Sequence, residues 1–333
     1  MPDKIFETAF AVGRVRSLEN RILTSERIQR LLDAASAEDA FRLLADASYG
    51  QSGEQVQDYE ELIDLELRRT VELIDQITPD ADLTNLFFMH YDVHNIKTLY
   101  KGTFTTDDVE EILSPLGKLD HATLKGAISS KDYRLLPDIF AQALAQADKE
   151  MPSEPDPGKI DAMLDQAYFQ AIGAFQQQQR SKNPFVTDYF ALSADFNNVL
   201  LALRLKAMGQ PFAQLESLFL PGGTLTTDRL AVVFEGELTP VAFSASPYYD
   251  VLKRAWERLV AGGMRLSLLE KERDNALFRL AGQVDQGPTS MGPVLRYMLA
   301  REQEAKIVRL IMTGKVNRLP DSMLRERVRE LYA

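Results

Sequence analysis

The 333-residue chain contains no cysteine, and that absence removes disulfide staples, thiolate nucleophiles and sulfur-ligated metals together. It also has no long apolar run. The longest unbroken stretches are Val199–Leu203 and Leu230–Phe234, ended by Arg204 and Glu235, whereas a membrane-spanning helix needs about 20 apolar residues. The opening MPDKIFETAF has no basic stretch leading into an apolar block, so no secretory signal is expected and the cytoplasm is the expected address. Positive charge is in deficit: the formal net charge is −11, which argues against nucleic acid as a partner, since phosphate binding calls for a basic footprint. Signatures of phosphate and acyl chemistry are missing too. No G-x-x-x-x-G-K-[ST], G-x-G-x-x-G or G-x-S-x-G occurs, and Gly158-Lys159 and Gly314-Lys315 lack the upstream glycine. No catalytic residue, cofactor or metal is expected, and the chain is not expected to be an enzyme.

What is there is ordinary globular material. Hydrophobic residues make up 45% and charged residues 26%, enough to bury a sizeable core. At about 100–200 residues per domain the length suggests two or three lobes. Charge is uneven. Gly53–Asp82 holds ten acidic residues against two basic, and Arg296–Glu330 nine basic against five acidic. Such asymmetry either steers docking onto a charged partner or is the scatter of a solvated helix surface.

Helical periodicity dominates. Ile160, Met163, Leu164, Ala167, Tyr168, Ala171, Ile172 and Phe175 follow the i, i+3, i+4, i+7 pattern of one apolar stripe over four turns. Leu18, Ile22 and Leu23 read as the same pattern within the first helix, and Ser36 with Asp39 as a capping-box start before Phe41 and Leu44. Strand-like alternation is nearly absent, so the fold class expected is all-α. Lys149–Lys159 and Gly236–Pro247 read as linkers, Leu220–Thr227 as a turn and Gln286–Pro293 as a break.

Internal repetition organises the chain. Gly102-Thr-Phe-Thr-Thr-Asp-Asp-Val109 matches Gly223-Thr-Leu-Thr-Thr-Asp-Arg-Leu230, with Asn317–Leu324 as a weaker third copy. Each reads as a turn, an apolar anchor, a polar cap and then a helix opening at Val109, Leu230 or Leu324. Thr105 with Asp108 reads as a capping box, and Asp107 and Asp228 suit a positive helix N-terminus. Upstream of each copy lies a polar element before an apolar run: Asp92-Val-His-Asn95, Asp195-Phe-Asn-Asn198 and Arg301-Glu-Gln-Glu304. These runs end at Gly102, Gly209 and Gly314. Before them come long helices carrying Glu60/Asp64, Asp161/Asp165 and Glu270/Asp274 at i, i+4. The reading is three diverged helical repeats, with lobes at 1–148, 149–240 and 241–333.

The segments Phe87–Gly102 (FFMHYDVHNIKTLYKG), Asp188–Gly209 and Glu304–Val328, with the opening AFAVGRVRSLENRILTSERIQRLLDA, resemble the C subunit of prokaryotic V/A-type ATPases, the counterpart of the eukaryotic V-ATPase d subunit. The resemblance covers nearly the whole chain, and the Asp-x-x-Asn helix starts are its most specific feature. It implies a funnel of three helical lobes about a pseudo-threefold axis. It also implies a non-catalytic rotor component of the central stalk, a monomer within a multisubunit complex and peripheral at the cytoplasmic membrane face. The funnel would hold the foot of the shaft, made of the D and F subunits, and sit on the membrane proteolipid ring. That coupling would serve proton or sodium transport linked to ATP hydrolysis or synthesis. The third repeat departs from the pattern, because Arg301 and Glu304 stand in the Asp and Asn places, with Glu302 nearby as a substitute carboxylate.

The candidate site residues are the polar anchors Asp92, Asn95, Asp195, Asn198, Glu302 and Glu304. A buried Asp or Asn without a partner costs about 1–3 kcal/mol, so they either pin neighbouring helix ends and loops or contact shaft or ring. The basic residues Arg318, Arg325, Arg327 and Arg329 are candidates for docking, against ordinary exposed helix charge. His90 and His94 stand at i, i+4 and suit a metal, but Tyr91 occupies the place a metalloprotease gives to glutamate. His121 has no partner apparent from sequence. Two rival functions stay open: a helical adaptor for other proteins, and a helical enzyme using His90, His94 and a carboxylate on a metal.

Overall fold

The computed structural model describes residues 2–47, 49, 56–105, 109–151, 155–178, 183–235 and 240–332. Among these there are fifteen α-helices and no strand. The first four are α1 (Pro2–Leu18), α2 (Ser25–Asp33), α3 (Ala37–Asp46) and α4 (Tyr59–Ile77). Then come α5 (Ala81–Gly102), α6 (His121–Ser130), α7 (Asp138–Glu150) and α8 (Pro157–Gln178). The third group is α9 (Pro184–Ala207), α10 (Phe212–Leu218), α11 (Thr227–Glu235) and α12 (Tyr249–Ala261). The last are α13 (Leu266–Gly282), α14 (Gly292–Val316) and α15 (Asp321–Arg327). The chain divides into two compact units, Met1–Thr84 with Lys271–Ala333, and Asn85–Glu270.

In the first unit α14 is the central helix and packs against α4, α1, α3, α2 and α15. Its near-absence of amphipathicity explains that place. Val294, Leu295, Met298, Ile307, Val308, Ile311 and Met312 are all buried on different faces, and a helix apolar all round must be enclosed. The starts of the smaller helices are set by side-chain caps. Ser36 Oγ accepts the Asp39 N–H at 3.1 Å, as its sequence context predicts, and Thr24 Oγ1 accepts the Arg27 N–H at 3.3 Å. The Thr24 cap corrects the reading of the first helix. The α1 helix ends at Leu18, a 3₁₀ turn covers Glu19–Arg21, and Ile22 is extended with ψ 137°. Ile22 and Leu23 are buried in the connection and not on a helical stripe.

In the second unit α9 plays the same central part, against α8, α10 and α11. It too is buried around its circumference, from Phe185 and Val186 through Phe196 and Leu200 to Leu205. A continuous core joins Val93, Ile96 and Tyr100 of α5 to Leu124 and Ile128 of α6, Phe140 and Leu144 of α7, and Ile160 and Leu164 of α8. Each such side chain contributes about 1.5–3 kcal/mol on burial. Phe87 is ringed by Phe185, Tyr189 and Phe190, the last two with centroids 5.2 Å away. The stripe of α8 is real, with Ile160, Leu164, Ala167 and Ile172 buried.

The segment after α5 does not open an α-helix at Val109; only a 3₁₀ turn, Glu110–Ile112, follows. Asp107 and Asp108, and with them the Thr105/Asp108 capping box, lie outside the described residues. So do 152–154 and 236–239 of the two linkers.

Candidate functional site

The Asp-x-x-Asn elements sit on the buried central helices and grip loops. On α9, Asn198 is fully buried and exchanges both amide bonds with one residue: its Nδ2 donates to the Leu220 carbonyl at 2.9 Å, and its Oδ1 accepts the Leu220 N–H at 2.8 Å. One turn earlier, Asp195 accepts the N–H groups of Thr224 at 2.7 Å and Leu225 at 2.9 Å, and the Thr224 hydroxyl at 2.5 Å. On α5 the pattern recurs. Asn95 exchanges two bonds with Ser114, at 2.9 and 2.7 Å, and Asp92 accepts the Leu119 N–H at 2.8 Å. Burial pushes both carboxyl groups above the usual aspartate range, and the N–H donors oppose that rise.

These bonds correct the register of the repeat. The segment equivalent to Gly223–Leu230 is Gly117-Lys-Leu-Asp-His-Ala-Thr-Leu124, and not Gly102–Val109. In both, glycine passes the carboxylate, a leucine N–H is caught, and a side-chain oxygen caps the next helix. The caps are Asp120 to the Thr123 N–H at 2.8 Å and Thr226 to the Arg229 N–H at 3.4 Å. Leu124 and Leu230 then fill the core at zero exposure. The glycines are a steric requirement: a Cβ on Gly223 would lie 2.4 Å from Asp195 Oδ1, and one on Gly117 2.6 Å from Asp92 Oδ1. Gly223→Ala is therefore expected to cost about 1–3 kcal/mol, whereas Gly126→Ala, inside α6 with nothing within 4 Å, is expected to be neutral or slightly stabilising. Urea denaturation followed by fluorescence of Trp256, buried against Phe243 in the same unit, measures both. Equal effects of the two substitutions would refute the steric account.

The third copy comes from the other end of the chain. On α14, Glu304 accepts the N–H of Leu23, and Leu23-Thr24-Ser25-Glu26-Arg27-Ile28 reproduces Leu225-Thr226-Thr227-Asp228-Arg229-Leu230: caught leucine, capping threonine, buried apolar residue. The departure from Asp-x-x-Asn leaves the loop grip intact, because the longer glutamate one turn on reaches the leucine N–H. Arg301, 4% exposed in its side chain, pairs with Glu304 and, at 2.5 Å, with Glu66 of α4. Burial drives the Glu304 carboxyl up to about 7, against the opposing Arg301 charge and Leu23 N–H. Glu302 is half-buried, and the carboxylate at the loop is that of Glu304. Asn317–Leu324 is a different turn, that of α15, where Leu324 packs so close to Gly314 that a Cβ there would lie 2.2 Å from it.

A second set of contacts pairs acidic helices with lysines and arginines of neighbouring helices. The i, i+4 acids of α8 meet the lysines of α5: Asp161 with Lys101 at 2.8 Å and Asp165 with Lys97 at 2.6 Å. Glu270 of α13 meets Arg204 of α9 at 2.5 Å, and Glu60 of α4 meets Arg309 of α14 at 2.8 Å, with Asp64 at 3.6 Å. All are partly exposed, where such pairs are worth about 0–1 kcal/mol each. They therefore contribute little to stability. The remaining acid, Asp274, is buried; burial alone would raise it, but Lys306, Arg273 and Arg329 together hold it well below the carboxylate range. Sequence reading found the acids and missed the bases, although Lys101 and Arg204 each stand nine residues after the anchoring aspartate.

The other candidates separate. Arg329 is spent on Asp274 at 2.8 Å, and Arg325 on Asp33 and, at 2.6 Å, Gln29. Arg318 has φ 54° at the turn after α14, and Arg327 is half-buried near the end of α15. His94 Nε2 lies 3.0 Å from the Ile112 carbonyl, His90 Nδ1 2.7 Å from that of Phe87, and His121 Nε2 3.0 Å from that of Ser114. Among the described residues no group of three or more His, Asp or Glu is placed to hold a metal, and no helix is long and apolar enough to cross a membrane.

The profile described as ATP synthase (C/AC39) subunit matches residues 11–327 of this chain. The C subunit of the A-type ATP synthase of Thermococcus kodakarensis is 23% identical, over 96% of this chain and 89% of its own length. Its V-type ATP synthase counterpart from Thermus thermophilus is 26% identical over 96% and 98%. The A-type counterpart from Methanocaldococcus jannaschii is 24% identical over 95% and 85%.

Proposed function

The chain belongs to the ATP synthase (C/AC39) subunit family, and from that premise we propose that it is the non-catalytic central-stalk component that joins shaft to ring in a V/A-type rotary ATPase. Its partners in this reading are the D and F subunits of the shaft on one side and the membrane proteolipid ring on the other, with the chain peripheral at the membrane face. Three lobes, 1–148, 149–240 and 241–333, form a pseudo-threefold funnel, the N-terminal α1–α2 segment being lent to the third.

The observation that carries this reading is the order of the inter-helix ion pairs. The first long acidic helix of each repeat pairs with the central helix of the repeat before it: α8 with α5, α13 with α9, and α4 with α14. The last of these joins the third repeat back to the first. Such pairs tie helices of different lobes to one another inside each compact unit, which a torque-bearing coupler needs. Each elementary charge crossing 100 mV supplies about 2.3 kcal/mol, and close-packed helices pass on strain with little compression. Exposed apolar side chains stand at the last residue of α14 (Val316, 47%), just after α9 (Met208, 69%) and in the 3₁₀ turn beyond α5 (Ile112, 58%), and suit contact with the ring.

Crosslinking of the tagged chain in native membranes, with mass spectrometric identification, tests the proposal. Links to both shaft and proteolipid ring are expected, and replacing Ile112, Met208 and Val316 by serine is expected to weaken retention on the ring. Links to stator components alone, or to unrelated proteins as an adaptor would give, would sink it.

A further inference from the structure

We propose that the arginine-lined cavity of the first unit is a binding site for a small phosphate-bearing anion. The cavity measures about 700 Å³, within the range of small-ligand pockets. Five arginines line it, each from a different place in the fold: Arg14 of α1, Arg21 of the following 3₁₀ turn, Arg27 of α2, Arg69 of α4 and Arg301 of α14. Glu66 and Glu72 are its acids. Glu66 is already engaged, by Arg69 at 2.7 Å and Arg301 at 2.5 Å. None of the ion pairs among the described residues uses Arg14, Arg21 or Arg27, although the Arg27 charge reaches Glu304 across the site. On a chain of net charge −11, five arginines against the two acids Glu66 and Glu72 at one cavity are a local exception with an electrostatic cost, which a bound anion would relieve.

The geometry favours phosphate over an acidic side chain. Arginines reach this cavity from five elements, so oxygens pointing in several directions are needed to meet them. A phosphate chain presents oxygens tetrahedrally, whereas one carboxylate presents two in a plane. Guanidinium forks match phosphate oxygens in pairs. Two further donors are at hand. Tyr49 and Tyr297 line the cavity and are buried, and burial keeps both phenols protonated. Arg301 is held in place by Glu66 and Glu304 and by the Tyr49 ring, 5.8 Å below its guanidinium, so part of the site is rigid before any ligand arrives. This inference stands independently of the coupling role.

The test is calorimetric titration of the purified full chain with pyrophosphate and with tripolyphosphate, at fixed ionic strength. Saturable binding at one site per chain is expected, tighter for tripolyphosphate. The double variant Arg21→Gln/Arg27→Gln removes exposed side chains that none of those ion pairs uses, so its unliganded melting temperature should stay the same or rise. Its affinity should fall about tenfold or more. Arg254→Gln, in the other unit, should bind as the parent does. Heat absent up to roughly 10 mM anion, undiminished binding by the double variant, or tighter binding of hexaglutamate than of tripolyphosphate would each overturn the proposal.

Discussion

Asp195→Ala is expected to lower the unfolding free energy of the second unit by about 3–5 kcal/mol, among the larger effects a single side chain produces. The carboxylate is fully buried and accepts three hydrogen bonds, from the Thr224 and Leu225 N–H groups and the Thr224 hydroxyl. Removing it strands the buried Leu225 N–H and the half-buried Thr224 N–H, at up to about 1–3 kcal/mol each, and frees the turn that seats Leu225 and Leu230 in the core. A partial offset arises because burial already penalises the charged carboxyl. Asp195→Asn keeps one acceptor oxygen and should cost about half as much. Urea denaturation followed at Trp256 separates the two, with the slope unchanged if only the native state is affected. A loss below about 1 kcal/mol for the alanine variant would mean that the loop holds itself without the aspartate.

The second large effect concerns the pair that replaces this motif in the first unit. Arg301→Met leaves Glu304 and Glu66 facing each other in a buried site, and breaking such a pair from one side costs about 3–5 kcal/mol. Arg301→Met with Glu304→Leu should recover most of that loss, because an apolar pair of similar volume replaces the ion pair without its desolvation cost. The pH dependence follows from the raised Glu304 carboxyl. Its folded value near 7 stands above the ordinary 4.5, so between these values the folded state holds a proton that the unfolded state releases. The corresponding stability is fully present below about 4.5 and is lost as pH rises through about 7. Without Arg301 the carboxyl climbs further, so the variant should be least impaired near pH 5 and most impaired near pH 8. Glu304→Gln should flatten this part of the profile. Thermal melts followed by helicity, compared with Trp256 fluorescence of the second unit, isolate the loss in the first unit, which lacks the tryptophan. An Arg301→Met penalty independent of pH would contradict this account.

Periodicity predicts the helical class and several caps correctly, because those signals are local: the stripe of α8 and the Ser36 cap depend only on residues within a few turns. The anchors Asp92, Asn95, Asp195 and Asn198 were legible for a related reason. A polar pair inside an otherwise apolar helix has no solvent to face and must find buried partners. Which loop each pair grips was not legible. Gly102–Val109 and Gly117–Leu124 carry the same turn chemistry, and only the carboxylate packed against the second tells them apart.

Composition and pattern by themselves determined that this chain is an assembly of helices, without thiol chemistry or a nucleotide signature, and resemblance named its family. Only the tertiary structure decided that Glu304 catches the N-terminal loop at Leu23, that the acidic helices α8, α13 and α4 take their cations from α5, α9 and α14, and that five scattered arginines share one cavity. The reason is range. Helix formation and capping are settled within about four residues along the chain, whereas these contacts join groups from 60 to 281 positions apart. No periodicity reports such separations, and only packing brings them within a hydrogen bond.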